Sequence, residues 1–130
     1  GVAQPSIIEA MNAVREPFNV NSLAQAAAAA ALDDTQFLKR TQRLVKDGYQ
    51  EITRALDRLK VRYVPSAANF VLIELGPRAP EVAQALLMRG VMVREMSAWK
   101  LSGYIRVTIG SSAENRMFIQ ALNASLKRQK

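Results

Sequence analysis

The fold is decided by residues 103–111, which read Gly103-Tyr104-Ile105-Arg106-Val107-Thr108-Ile109-Gly110-Ser111. Polar or aromatic side chains alternate here with aliphatic ones, which is the period-two pattern of a strand with one buried face. Gly110 ends the strand, and Ser111 stands three residues before Glu114, the capping-box spacing that opens a helix. The stretch therefore predicts a strand followed directly by a helix.

Arg106 lies in the middle of this strand, on the face opposite the aliphatic side chains. A guanidinium is costly to remove from water unless a partner is supplied, and its planar fork suits a carboxylate or a phosphate. Arg106 is therefore the first candidate for binding an anion. The alternative is that it lies on the solvated face of an ordinary antiparallel sheet, which often keeps one face in water.

Composition narrows the classes of function. The chain has 130 residues, 49% of them hydrophobic, with neither cysteine nor histidine. This excludes disulfides, Cys/His zinc sites and Ser-His-Asp catalysis within the chain, and no metal site is expected. No apolar run approaches the roughly 20 residues that span a bilayer, so no membrane partner is expected. The lack of cysteine fits a cytoplasmic location, and a start at Gly1 rather than Met indicates a piece of a longer protein.

The formal net charge of +7 raises the question of an anionic partner such as RNA. The basic residues are scattered, and no aromatic residues interleave with them as in single-strand binders. A solvated helix surface is therefore preferred, and no nucleic-acid partner is expected. An RNA-binding α/β domain stays open as an alternative, which salt-sensitive RNA binding by the chain would support.

The first sixty residues have helical patterns. One helix is predicted over residues 5–15, and a second, capped by Asn21 or Ser22, contains the alanine run 26–31. This run suits either close approach to another helix or subunit, or plain low complexity. A third helix, capped by Asp33 or Asp34, is predicted to reach about Lys60. At about 1.5 Å per residue it spans some 40 Å, which is long enough to bridge two separately folded parts of a protein. Its apolar stripe comprises Phe37, Leu38, Leu44, Val45, Tyr49, Ile52, Leu56 and Leu59.

Strands and helices alternate from Val61 onward. Strands are predicted over 62–64, 69–75, 91–95 and 103–110, and helices over 80–89 and 114–127. The inward-facing residues predicted for the last helix are Met117, Phe118, Ala121 and Leu122. The expected architecture is α/β: a small, mainly antiparallel sheet covered by helices and preceded by a helical segment.

Arg94 shows the same alternation as Arg106, since Val91 and Val93 have the opposite parity. If their strands are neighbours, both guanidinium groups converge at one edge of the sheet. Two arginines hold a dianionic group, or two anionic groups, better than one.

Five segments, in this order, resemble the C-terminal part of histidinol-phosphate aminotransferase, a fold-type I pyridoxal-phosphate-dependent aminotransferase. They cover nearly the whole chain, and together they are more specific than any one alone. The segments are Gly1-Val2-Ala3-Gln4-Pro5-Ser6-Ile7-Ile8-Glu9-Ala10, Pro17-Phe18-Asn19-Val20-Asn21-Ser22-Leu23-Ala24-Gln25, Asn69-Phe70-Val71-Leu72, Val93-Arg94-Glu95-Met96 and Gly103-Tyr104-Ile105-Arg106-Val107-Thr108-Ile109-Gly110.

The resemblance implies a cytoplasmic homodimeric enzyme of histidine biosynthesis that uses pyridoxal 5'-phosphate (PLP) and moves an amino group between histidinol phosphate and 2-oxoglutarate. It implies that residues 1–33 are the C-terminal helices of a large PLP-binding domain. Residues 34–130 would then be the small C-terminal domain, with a bridging helix over 34–60. By motif position, Arg106 matches the arginine that binds the anionic end of the substrate and Arg94 a second arginine beside it. Asn19 falls in a segment near the active site.

The chain departs from the family in lacking the segment S-K-x-x-x-L-x-G-x-R-x-G-Y, which holds the Schiff-base lysine and an arginine for the cofactor phosphate. By the resemblance this lysine lies upstream of Gly1, and Lys39, Lys46, Lys60 and Lys100 stand in the wrong context to replace it. The 130 residues alone are therefore expected to be inactive and to bind no cofactor. Two alternatives within the fold are an aromatic aminotransferase and threonine-phosphate decarboxylase. An alternative of another class is a small ligand- or RNA-binding α/β module.

Overall fold

A computed structural model describes residues 2–17 and 19–127. Gly1 and Phe18, which belong to the matching segments, lie outside the described residues. The chain divides into two compact units, Gly1–Leu38 and Lys39–Lys130. The prediction of two parts, 1–33 and 34–130, concerns domains of a longer protein and stays a prediction.

The first unit is built from helices that local signals specify. It contains α1 (Pro5–Ala13), α2 (Ser22–Asp33) and the first residues of α3 (Thr35–Arg58). Pro5 occupies the first helical position of α1, where its missing N–H is tolerated. The Asn21 side chain caps α2 by accepting a 2.8 Å hydrogen bond from the N–H of Ala24. Neither α1 nor α2 has a buried residue.

Helix α3 begins as predicted, because Asp34 Oδ1 accepts a 2.8 Å hydrogen bond from the N–H of Phe37. Its predicted apolar stripe behaves differently along its length: Ile52 and Leu56 are buried, whereas Leu44 is exposed. Gly48 is buried where α3 passes close to the end of the last strand. The C-terminal half of α3 therefore contributes to the core.

Four strands form one antiparallel sheet in the order β1-β2-β4-β3. The central pair is β2–β4, the two longest strands of the sheet. The strands are β1 (Tyr63–Val64), β2 (Phe70–Glu74), β3 (Arg94–Glu95) and β4 (Tyr104–Thr108).

Strand β3 is shorter than the predicted range 91–95. The N–H of Val91 donates to the carbonyl of Leu86 at 3.0 Å, so this residue closes the end of the preceding helix instead of joining the ladder. Of residues 91–95, only Arg94 and Glu95 pair with β4. The prediction of a five-residue strand was wrong for this reason.

Helices cover one face of the sheet and form the core with it. Alternate residues of β2 and β4, such as Val71 and Ile105, are fully buried and cluster with side chains of α3, α4 (Ala79–Leu87) and α5 (Ser112–Lys127). The expected α/β architecture is confirmed. Within residues 2–17 and 19–127, none of the helices combines the length and apolar content that crossing a bilayer requires.

The start of α5 has the predicted capping box. The N–H and the hydroxyl of Ser111 each donate to Glu114 Oε2 at 2.7 Å, and the N–H of Glu114 donates back to Ser111 Oγ at 3.4 Å. These hydrogen bonds, that of the hydroxyl first, lower the pKa of Glu114 because they stabilise its charged form.

The inward face of α5 was predicted partly wrongly. Met117 is 53% exposed, whereas Phe118 and Leu122 are buried as expected. The buried arc runs from Asn115 through Phe118 to Ser125, and Met117 lies about 100° away from Phe118 around the helix. The buried side chain of Asn115 has both of its polar atoms hydrogen-bonded to Gly110. Its Oδ1 accepts from the Gly110 N–H at 3.0 Å, and its Nδ2 donates to the Gly110 carbonyl at 3.1 Å.

Candidate anion-binding site

The two candidate arginines are direct partners across the sheet. Strands β3 and β4 are antiparallel, and their register places Arg94 opposite Arg106. Residues directly opposite in an antiparallel pair have side chains on the same face, with Cβ atoms about 4.5–5.5 Å apart. The structure thus places on one face of the sheet the two arginines that the alternation pattern singled out, and both line the same cavity. Arg106 is half-buried and Arg94 is exposed.

A cavity of about 330 Å³ opens beside this pair. It lies on the second unit, and its walls come from β4, from β3 and from the two residues before β3. Its volume is at the lower end of the range for small-molecule sites. The cavity is lined by Met92, Val93, Arg94, Glu95, Arg106 and Thr108.

Each guanidinium group rests against its own aromatic ring. The Cζ atom of Arg106 lies 5.2 Å from the centre of the Phe70 ring, and that of Arg94 lies 5.3 Å from the Trp99 ring. Both distances are within cation–π range, roughly 6 Å. A guanidinium that stacks on a ring by its flat face keeps its in-plane N–H donors available for an anion.

The nearby carboxylates are engaged elsewhere. Glu74, on the same face of β2, forms an ion pair with Arg62 at 2.6 Å, and Glu95 accepts a 3.0 Å hydrogen bond from the N–H of Ser97. Among the residues that the structure describes, neither Arg94 nor Arg106 makes an ion pair or a side-chain hydrogen bond. The site therefore presents two positive charges whose donors are unused within that part of the chain.

Asn19, the third predicted site residue, belongs to the first unit. It is exposed and lies in the bend before α2, next to the Val20 carbonyl that accepts a hydrogen bond from Gln25. Its position is described within that unit alone, and the structure does not join it to the arginine pair.

A larger cavity, of about 560 Å³, lies between α3 and the β4–α5 turn. Cationic side chains such as Lys39 and Arg43 line it, but so do the carboxylates of Asp47 and Glu51. Its charge is therefore mixed, and its cationic side chains are exposed on a helix surface. The smaller cavity is the better anion site because its two guanidinium groups are held in register by a sheet.

Sequence reasoning did not identify Phe70 and Trp99 as part of this site. Phe70 stood in the segment 69–75, which was predicted only to be a strand, and Trp99 stood between the strands predicted over 91–95 and 103–110. Phe70 lies diagonally across from Arg106, since it pairs with Thr108. That diagonal could be found only once the register of β2 against β4 was known.

Comparison with known proteins assigns the chain to a family. The family model for aminotransferase class I and II matches residues 1–122. The chain therefore belongs to the aminotransferase class I and II family.

The most similar relatives include two proteins named for one activity. The chain is 48% identical over 127 residues to histidinol-phosphate aminotransferase of Methylobacillus flagellatus, covering 98% of this chain and 34% of that protein. It is 47% identical over 129 residues to histidinol-phosphate aminotransferase 2 of Ralstonia nicotianae, covering 97% and 34%. The chain thus spans about a third of the length of these relatives.

Solved structures confirm the predicted fold class, that of fold-type I aminotransferases. The chain superposes on histidinol-phosphate aminotransferase from Sinorhizobium meliloti, solved in complex with pyridoxal-5'-phosphate, with a TM-score of 0.81 and 27% identity. The superposition covers 97% of this chain and 35% of that one.

Proposed function

We propose that this chain is the substrate-anion-binding part of a PLP-dependent aminotransferase that moves an amino group between histidinol phosphate and 2-oxoglutarate. The observation that carries the proposal is that Arg94 and Arg106 lie directly opposite each other on neighbouring strands and line one cavity. The names of the relatives support the choice of substrate.

In this proposal, the two arginines bind the substrate and orient it. The in-plane donors of Arg106 grip one anionic group of the substrate, and those of Arg94 share the same group or take a second one. Holding the anionic end fixes the amino-bearing carbon relative to the rest of the active site, which is an orientation effect on the barrier. Asn19 is assigned a supporting place in substrate binding.

The residues of this chain that the structure describes do not form a cofactor site by themselves. PLP enzymes need a lysine amine held in a prebuilt pocket, whereas Lys39, Lys46, Lys60 and Lys100 are all exposed. We therefore assign the lysine and the cofactor phosphate site to the part of the complete protein that the relatives have in addition. The 130-residue chain alone would then be inactive and would bind no PLP.

Other properties of the complete protein follow from the same proposal. We propose a cytoplasmic homodimer, with residues 1–33 in a large cofactor domain and 34–130 in a small domain. The absence of a nucleic-acid partner is part of the proposal and would be contradicted by salt-sensitive RNA binding.

The test is steady-state kinetics of the complete protein with histidinol phosphate and 2-oxoglutarate. We expect Arg106→Gln to lower kcat/KM by about ten- to a hundredfold, because a charge-assisted hydrogen bond contributes roughly 1.5–3 kcal/mol. Arg94→Gln should lower it less, since Arg94 is the more exposed of the two. Arg58→Gln, at an exposed position on α3, is the matched control and should leave kcat/KM unchanged.

An unchanged kcat/KM in Arg106→Gln would remove this residue from the site. Amino-donor preference then separates the remaining activities of the fold. Faster amino transfer from phenylalanine or tyrosine would favour an aromatic aminotransferase, and loss of carbon dioxide from threonine phosphate would favour the decarboxylase.

A further inference from the structure

The arginine pair poses an electrostatic problem. Arg94 and Arg106 face each other directly across the β3–β4 ladder, and like charges at such positions destabilise a sheet. Within the described residues, no carboxylate forms an ion pair with either group. Contacts with other neighbours would offset this repulsion, together with water at the exposed Arg94, when no anion is bound.

The aromatic rings of Phe70 and Trp99 meet this need. Each ring lies just over 5 Å from one guanidinium carbon, 5.2 Å for Phe70–Arg106 and 5.3 Å for Trp99–Arg94. The electron-rich face of a ring attracts a cation, and a guanidinium that stacks on it by its flat face keeps the N–H donors at its edge free. A carboxylate in the same place would occupy those donors and cancel the charge.

Both rings come from anchored backbone. Phe70 opens β2 and is fixed by pairing with Thr108 of β4. Trp99 ends a 3-10 turn, Ser97–Trp99, and its N–H donates to the carbonyl of Met96 at 3.0 Å. Met96 is buried, so the turn that carries Trp99 is fastened to the core directly after β3.

We infer that Phe70 and Trp99 are positioning residues of the anion site: the ring of Phe70 holds the guanidinium group of Arg106 and the ring of Trp99 that of Arg94, with the in-plane donors free for one shared anionic group. The inference rests on the proposed function for the identity of the substrate. It adds that each arginine depends on its own ring, so loss of either ring should weaken anion binding while the charge remains.

The first test is kinetics of the complete protein carrying Phe70→Leu or Trp99→Leu. We expect each to raise KM for histidinol phosphate by about three- to tenfold, the range that a partly exposed cation–π contact supports. The value of kcat should stay within about twofold, because neither ring is assigned to the reacting atoms. The ring-preserving variants Phe70→Tyr and Trp99→Phe should restore a KM close to that of the natural protein.

Val64→Ala is the matched control for general damage to the sheet. Val64 is exposed and lies on the same face, in the edge strand β1. Its KM should not change. If Arg106→Gln raises KM but both leucine variants leave it unchanged, the inference is overturned while the proposed function stands.

The second test needs no catalysis and uses the 130-residue chain. Trp99 is its single tryptophan, so intrinsic fluorescence reports on the Arg94 contact. Titration with inorganic phosphate at constant ionic strength should change the emission of Trp99, and Arg94→Gln should abolish the change. Phe70→Leu should raise the apparent Kd for phosphate by about threefold or more.

An emission that does not respond to phosphate overturns the inference, as does an unchanged Kd in Phe70→Leu. A complete protein that lacks aminotransferase activity, combined with a phosphate response that Arg94→Gln abolishes, overturns the proposed function and supports the inference. The two proposals therefore fail separately.

Discussion

The two faces of the central strands have opposite chemistry although their residues alternate along one backbone. On β4, Ile105 and Val107 are buried against the helices, whereas Arg106 is half-buried and Thr108 exposed on the other face. The covered face supplies the hydrophobic core, and the open face supplies the two guanidinium groups. Under the proposed function, stability and binding are thus separated at neighbouring positions, which makes the separation testable residue by residue.

The largest effect on folding is expected from Ile105→Ala. Ile105 is fully buried in the core cluster, and truncating such a side chain removes its transfer free energy and leaves a cavity. The free energy of unfolding should fall by about 2–5 kcal/mol. Urea-induced unfolding of the chain, followed by circular dichroism, measures the change.

Arg106→Gln, at the next residue, is the matched comparison. It removes one of two facing like charges, so the free energy of unfolding should change by less than about 1 kcal/mol, or rise slightly. If Arg106→Gln lowered the free energy of unfolding as much as Ile105→Ala does, the two faces would not have the separate roles described above.

An intermediate effect is expected from Gly48→Ala, which tests how closely α3 fits the covered face. An added Cβ would lie 2.5 Å from Ile109 Cγ2 and 2.8 Å from Asn115 Nδ2. Overpacking of this kind lowers the free energy of unfolding by about 1–3 kcal/mol, against a gain in helix propensity of up to about 1 kcal/mol. A net loss is expected in the same urea experiment.

Lys46→Ala, at an exposed position of the same helix, is the control for Gly48→Ala and should change stability by less than about 0.5 kcal/mol. A stabilised Gly48→Ala variant would show that helix propensity outweighs the contact, and that α3 can shift away from the turn after β4.

The smallest effect concerns the capping box of α5. The pKa of Glu114 is lowered from its ordinary value of 4.5 by the hydroxyl and the N–H of Ser111. A lowered pKa in the folded state means that the contribution to stability is present above the ordinary pKa and is lost as the pH falls through the folded one. The difference in Tm between the natural chain and Glu114→Gln should therefore shrink from about pH 6 to about pH 3.

Ser111→Ala provides the check on this pH dependence. The two residues bond each other, so the effects of Ser111→Ala and Glu114→Gln should not add in the double variant. Additive effects, or a Tm difference that does not vary with pH, would exclude the capping box as the cause.

Local signals allowed much of the secondary structure to be predicted. The caps Asn21, Asp34 and Ser111 all accept backbone hydrogen bonds near the predicted helix starts, because capping depends on three or four consecutive residues. The alternation in β4 and around Arg94 also indicated the face that carries both arginines, since strand parity is a local property.

Several tertiary features could not be predicted from the sequence, because they depend on contacts between segments that are distant along the chain. Met117 and Phe118 are both apolar, and only the placement of α5 on the sheet decides which of them is buried. The contact between Phe70 and Arg106 depends on the register of β2 against β4. The close approach at Gly48 likewise depends on how α3 meets the turn after β4.

The sheet ends in very short strands on both sides. Its outer strands, β1 (Tyr63–Val64) and β3 (Arg94–Glu95), have two residues each, and the second consists of charged residues. An exposed strand edge is a template on which another chain can add by backbone hydrogen bonding, and short or charged edges suppress this. The same arginine that faces the cavity therefore also helps to protect the protein from edge-to-edge aggregation.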